Sequence, residues 1–340
     1  MATTDTGGAT IATMVGNYYD KVFLDRLESN LVYDKNGVQA PLPANQGNTV
    51  VWHALLNPAK GALITEGTNP TALAVSARKV SAPVLQYGAV KSITDLVNEM
   101  AVCPVVKETV AALGYSAALT KDSLISDQIG FGSAASTGVV DATSVALPSA
   151  YSRGFPLFNH GDTSAIWTSR VALKNGLFSA TLSIGAIRRA VTYLKGLDAM
   201  PFEDGNYRAV IDPLISDQIR ADTTFATWMA YTNRAAMEKG KLGVIERVLF
   251  EESSQAIKVP VLNSTWSGYA SGGTSLYGTL IHGKGAYGVT KLSGRDAKIQ
   301  VVTGADHGDA LNLTTLIGYK LTMAVAILNP SAGIIIPWMG

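Results

Sequence analysis

Residues 65–96 read TEGTNPTALAVSARKVSAPVLQYGAVKSITDL, and how this stretch is divided decides the fold. From Thr71 to Ile93 its composition is β-type, with no two-residue hairpin turn. At about 3.3 Å per residue those 23 residues would reach roughly 75 Å, whereas an ordinary strand has about 5–6 residues. Pro83 supplies the break. Thr71–Ala82 then reads as the returning side of a projecting arm, and Val84–Ile93 as a strand entering the body.

The segments on either side fit that division. Upstream, NGVQAPLPANQGNTVVWHALLN (36–57) contains two β-type runs around a Pro-, Asn- and Gly-rich turn and reads as a hairpin. LITEGTNP (63–70) is a second turn that feeds the long stretch. Downstream, Thr94 or Asp95 can cap a short helical turn, and Pro104 suits the first turn of a new helix. In PVVKETVAALGYSAALTKDSLISDQI (104–129), Val106, Val110, Leu113, Ala117 and Leu124 share one helical face. Gly114 within that helix costs about 1 kcal/mol relative to Ala.

The rest of the chain alternates. A polar arm (1–14) leads into a short amphipathic helix over 15–30, carrying Val15, Tyr19, Val22, Leu24 and Leu27. Residues 130–165 are small and polar and read as an irregular loop. A helix starting near Ser183 places Ile184, Ile187, Val191 and Leu194 on one face, with Gly196 as its terminator. YRAVID is a strand, PLISDQIRAD a helical turn, LGVIERVLFEES and SLYGTLIHG strands, and LTTLIGYKLTMAVAI a mixed segment. The apolar tail LTMAVAILNPSAGIIIPWMG reads as a buried helix end followed by a buried strand. Asn329 and Pro330 leave neither half near the ~20 residues of a membrane helix.

Composition limits function. Hydrophobic residues make up 47% and charged ones 16%, which implies deep burial and a surface partly covered by partners. Lys and Arg number 27 against 26 Asp and Glu, so the basic footprint of a dedicated nucleic-acid binder is missing. The single cysteine, Cys103, allows no internal disulfide and reads as a small core residue. GKGAYG (283–288) matches GxGxxG after a strand-like run, but the following VTKLSG is β-like, where a dinucleotide site needs a helix. NHGD (159–162) and DHGD (306–309) lack a metal-ligand spacing and read as turns. The four histidines, His53, His160, His282 and His307, form no recognisable ligand set. Lys107/Glu108 and Arg188/Arg189 read as solvated helix faces or intersubunit salt bridges. No catalytic, cofactor-binding or metal site is assigned.

The order of YYDKVFLDRLESNLVYD, LITEGTNP, VLQYGAVKSITDLVNE, the helix after Cys103-Pro104, SIGAIRRAVTYLKGLDAMPF, YRAVIDP, KLGVIERVLFEES and MAVAILNPSAGIIIPW resembles the major capsid proteins of tailed bacteriophages with the Hong Kong 97-type fold. More narrowly, it is similar to the coat proteins of the podovirus group typified by coliphage N four. The resemblance implies an α+β fold in four parts. These are an N-terminal arm (1–35), an extended β-hairpin E-loop (36–85), a peripheral domain (86–182 and 315–340) with its spine helix at about 104–128, and an α/β axial domain (183–314). Two stretches, 130–165 and NSTWSGYASGGTS (263–275), do not align with the pattern.

The same resemblance implies a non-enzymatic shell protein. It would form hexamers and pentamers that enclose double-stranded DNA in the virion, after synthesis and assembly in the host cytoplasm. The partners implied are other copies of itself, a portal, a separate scaffolding protein and non-specifically contacted DNA, with decoration proteins left open and no membrane. Lys60, Thr65, Glu66, Gly67, Arg78 and Lys79 in the E-loop are the candidate intersubunit contacts. Lys60 is where an isopeptide weld to Asn would form, but no Asn or buried Glu partner is identifiable. Two rival readings are a nanocompartment shell that encloses enzymes and a dehydrogenase or metal-dependent hydrolase built on GKGAYG or the HGD loops.

Overall fold

The computed structural model describes residues 9–28, 31–42, 48–55, 63, 77–102, 104–130, 155, 157–158, 166–167, 182–222, 242–260, 275–292, 297–302 and 313–339. In chain order the elements are α1 (Ala9–Glu28), α2 (Tyr33–Asn36), β1 (Val38–Leu42), β2 (Thr49–Leu55), β3 (Ala77–Pro83), β4 (Leu85–Thr94), α3 (Asp95–Met100) and α4 (Val105–Ile129). They continue as β5 (Leu157–Phe158), β6 (Ile166–Trp167), α5 (Ile184–Gly196), β7 (Tyr207–Ile211), α6 (Pro213–Ala221), β8 (Val244–Ile245), β9 (Val248–Glu252) and β10 (Ile257–Pro260). The last are β11 (Ser275–His282), β12 (Tyr287–Leu292), β13 (Ala297–Val302), β14 (Thr314–Met323), β15 (Val325–Ile327), a 3₁₀ turn (Pro330–Ala332) and β16 (Gly333–Met339).

The strands form four sheets. The largest runs β6-β5-β16-β11-β7-β9-β8, with β10 also on β11. The others are β13-β14-β4, β1-β12-β15 and the two-stranded β2-β3. The break falls where Pro83 places it: β3 ends there, Val84 is irregular, and β4 pairs antiparallel with β14 from Leu85↔Met323 to Thr94↔Thr314.

Three expectations need correction. The β1 and β2 runs do not form a hairpin with each other: β1 pairs in parallel with β12, and β2 pairs with β3. Composition marked the strands and the turn, but partner choice is non-local, and β2 finds a seven-residue ladder further along the chain. The tail carries no helix end. Its alternation puts Ile317, Tyr319, Leu321 and Met323 inward on β14, a two-residue period that only a strand uses. The first helix starts earlier than expected, running Ala9–Glu28 rather than 15–30.

Smaller differences concern caps. Pro104 sits one residue before α4 rather than within its first turn, and Gly196 is the last helical residue of α5, with the reversal made at Asp198 (φ 54°). Thr94 occupies the N-cap position of α3 without a side-chain capping bond. Ser183 does cap α5, accepting from the Ala186 amide, and Asp212 caps α6 through the Leu214 amide. Cys103 and most of 130–165 lie outside the described residues, but Phe155 is buried and β5 joins β16.

The core forms where α1 and α4 cover the inner face of β13-β14-β4. Val110, Leu113 and Ala117 of the expected α4 face are buried, and Val106 and Leu124 pack at its margin. Gly114 permits a close approach: a Cβ there would lie 2.7 Å from the Phe23 carbonyl oxygen on α1. Gly114→Ala therefore sets a helix-propensity gain of about 1 kcal/mol against a backbone clash that pushes the helices apart, typically costing 1–3 kcal/mol. We expect a net loss, read as a lower urea midpoint at unchanged slope. A stabilised variant would refute the close-approach argument.

A buried polar cluster joins the α1–β1 connection to α4. Lys121 Nζ lies 2.9 Å from Asp34 Oδ1, with both side chains at most 4% exposed. The Val32 amide donates to Asp122 Oδ2 (2.8 Å), while Asp122 Oδ1 is buried without a hydrogen-bond partner. Tyr287 Oη donates to the Tyr33 carbonyl at 2.6 Å, and Gln39 Nε2 to the Asp34 carbonyl at 2.6 Å. Asn36 Nδ2 reaches Glu251 on β9 at 2.6 Å. Strands from two sheets thus meet the long helix through one short segment.

Burial pushes the Asp122 carboxyl up to about 6, aided by the nearby Asp34 charge and opposed by the Val32 amide and Lys121. Because the raised value belongs to the folded state, that state holds the extra proton between about pH 4 and 6. Stability from this group is therefore full below pH 4, falls as pH rises through that window, and stays reduced above it. Asp122→Asn keeps an acceptor for Val32 without the charge, and should stabilise by on the order of 2–3 kcal/mol at pH 7.5 and hardly at all near pH 3.5. Urea titrations at the two pH values test this; a variant less stable at pH 7.5 would contradict it.

Candidate intersubunit surface

β2 and β3 form a ribbon in register from Thr49↔Pro83 to Leu55↔Ala77. Its two faces differ. Val50, Trp52 and Ala82 are buried with Ala324 in a small apolar cluster apart from the main core, bordered by Ala40, Val84, Ala326 and Leu328. The Trp52 ring lies against Gly288 of β12, where a Cβ would meet its Nε1 at 2.7 Å, so the contact needs glycine there. On the other face, Val51, His53, Lys79 and Ser81 are exposed.

The expected contact residues divide accordingly. Arg78 and Lys79 lie on β3, opposite Ala54 and His53. Lys60, Thr65, Glu66 and Gly67 lie outside the described residues; Leu63, near the middle of the stretch between the strands, is 97% exposed.

At the far end of β4 is a surface that the sequence reading missed. α3, DLVNEM, buries none of its six residues. Leu96 (65% exposed), Val97 and Met100 (74% exposed) are followed by a fully exposed Val102. Leu313 is exposed beside them, its carbonyl accepting from the Asp95 amide at 2.8 Å. Large apolar side chains exposed in this way make the segment a candidate contact surface. The signal available in SITDLVNEM is the number of apolar residues in a segment with no periodic partner.

Between these two features runs the bare outer face of β13-β14-β4. An open groove of about 680 Å³ crosses it, floored by Gly88 and Gly318 and bordered by Gln86, Val90, Lys298 and Lys320. It lacks the enclosed, mostly apolar form of a small-molecule site.

The motifs with chemical overtones take structural places. GKGAYG turns β11 into β12, a strand where a pyrophosphate site would need a helix amino terminus. His282 is fully buried between the rings of Phe202 and Tyr287, and burial lowers it to about 4, so it is a neutral packing residue at pH 7. Both HGD loops, with His160 and His307, lie outside the described residues. Among the described residues, no three His, Cys, Asp or Glu side chains gather as a metal site, and no helix is long and apolar enough to cross a membrane. Lys107, Glu108, Arg188 and Arg189 are exposed on their helices.

Neither protein-family models nor characterised proteins match the sequence. Solved structures do resemble the fold. The capsid of Ralstonia phage GP4 superposes with a TM-score of 0.62 at 15% identity, covering 92% of this chain and 92% of that one. The cyanophage Pam1 capsid asymmetric unit gives 0.60 at 14% identity, covering 94% and 93%. The capsid of cyanophage P-SCSP1u gives 0.59 at 15% identity, covering 90% and 87%. The chain thus has the α+β, Hong Kong 97-type fold over nearly its whole length.

Proposed function

We propose that the chain is the major capsid protein of a tailed bacteriophage, assembling in many copies into the icosahedral shell around double-stranded DNA. The observation that carries this is the β2-β3 ribbon: among its described residues, Val50, Trp52 and Ala82 are buried on one face while Val51, His53, Lys79 and Ser81 are exposed on the other. An isolated hairpin is marginal in water, so the bare face gains a partner by lying on a neighbouring copy. The whole-length likeness to phage capsid chains supports the same reading, as does the uncharged composition.

In this reading the ribbon is the E-loop, and Lys60, Thr65, Glu66, Gly67, Arg78 and Lys79 are its contact candidates. α4 is the spine helix of a peripheral domain. Within this proposal the domain boundaries follow the strand pairing. Residues 297–302 group with β4 and β14, and 333–339 with β11 in the sheet we assign to the axial domain. Hexamers and pentamers, a portal and a separate scaffolding protein complete the proposal, with assembly in the host cytoplasm and the shell in the virion. The role is structural rather than catalytic.

Negative-stain microscopy and mass photometry of the purified chain test it, with its scaffolding partner co-expressed in parallel. Megadalton shells or hexameric rings are expected. A small soluble oligomer under both conditions would reject the proposal.

A further inference from the structure

We propose that α3, with Val102 and Leu313 beside it, is the docking surface for the β2-β3 ribbon of a second copy of this chain, joined head to tail. The inference rests on the shell reading above and names the surface and the partner segment within it. A two-turn helix has little stability of its own. α3 also buries no residue within its own chain, although half of it is Leu96, Val97 and Met100. Such an element is explained by cover that comes from outside the chain.

Charge selects the ribbon as that cover. Residues 94–102, TDLVNEMAV, carry Asp95 and Glu99 and no base. Between Thr49 and Pro83 the sequence carries Lys60, Arg78 and Lys79 against Glu66 alone. Val51 and Lys79, exposed together on the ribbon's bare face, offer an apolar side chain and a cation to the apolar and acidic α3.

Position makes the contact intermolecular. The ribbon joins β4 at Leu85 through Val84, and its base is fixed there by Trp52 and Ala324; α3 begins after Thr94 at the opposite end. Ten residues of strand separate the two ends by about 33 Å. A chain carrying a donor at one end and an acceptor at the other associates heterologously, which closes into rings when the rotation permits.

The test begins with the unaltered chain, because absence of particles there would overturn the shell reading itself. Given particles, Asp95→Lys with Glu99→Lys should lower particle yield at least about tenfold, since a small loss per contact is multiplied around a closed assembly. These residues are exposed, so the thermal melt should be unchanged. Adding Lys79→Glu, on the ribbon's bare face, should restore assembly. Full assembly of the double variant, or no rescue in a folded triple variant, overturns the proposal. Carbodiimide cross-linking of unaltered particles gives a readout that needs no variant: an intersubunit Lys79–Glu99 or Lys79–Asp95 link is expected. Its absence among other intersubunit links counts against the proposal.

Discussion

Deleting residues 57–70 should leave a folded, soluble subunit that forms no shells. Residues 56 and 71–76, seven in all, would still join Leu55 to Ala77, which already face each other across the ribbon. The shortened ribbon can therefore close. Its anchor, Val50, Trp52 and Ala82 on Ala324, lies at the other end, and the main core draws on neither strand. Urea unfolding should accordingly give nearly the parental midpoint and slope. Assembly is a different matter, because each subunit would lose most of its reach toward the neighbour, and a shell multiplies that loss over every copy. Mass photometry should show only free subunits or small oligomers. Normal particles from the deletion would show that residues 57–70 do not hold the shell.

The same separation explains what the sequence made legible. Pro83 could be read because proline acts locally: it has no amide to donate and holds its own φ whatever lies around it. The α4 face could be read because Val110, Leu113 and Ala117 recur at helical spacing, and Ser183 and Asp212 because capping is decided within a few residues. What stayed hidden depends on distant partners. Nothing near Val38 says that it will lie beside Gly288 rather than pair with β2. Leu96 and Met100 are not legible because a short exposed apolar helix has no period to detect. Lys121 and Asp122 were hidden because charged residues in a helix are read as surface, while here they lie one turn before the buried Ile125. The interruption of the apolar face by two adjacent charges was the available clue.

That interruption leads to the largest stability effect expected of a single side chain. Lys121→Ala should cost about 3–5 kcal/mol at pH 7.5, the usual consequence of removing one member of a buried ion pair. Lys121 is the cation held within 2.9 Å of Asp34, and Asp122 stands beside it with one oxygen unpartnered. Without the ammonium, two carboxylates would share a nearly dry site with their charges unopposed by Lys121. Against a total stability of about 5–15 kcal/mol, this is a large fraction. The loss should depend on pH in a stated direction. Below about pH 5, Asp122, whose carboxyl lies near 6, is protonated, so one of the two charges is gone and the deficit shrinks. Lys121→Met with Asp34→Asn should recover much of the loss, because replacing both partners leaves no buried charge between them. Urea midpoints for the three chains at pH 5 and 7.5 test the argument. A loss below 1 kcal/mol for Lys121→Ala at pH 7.5 would mean that the α1–β1 segment is held to α4 by its apolar contacts and backbone bonds alone.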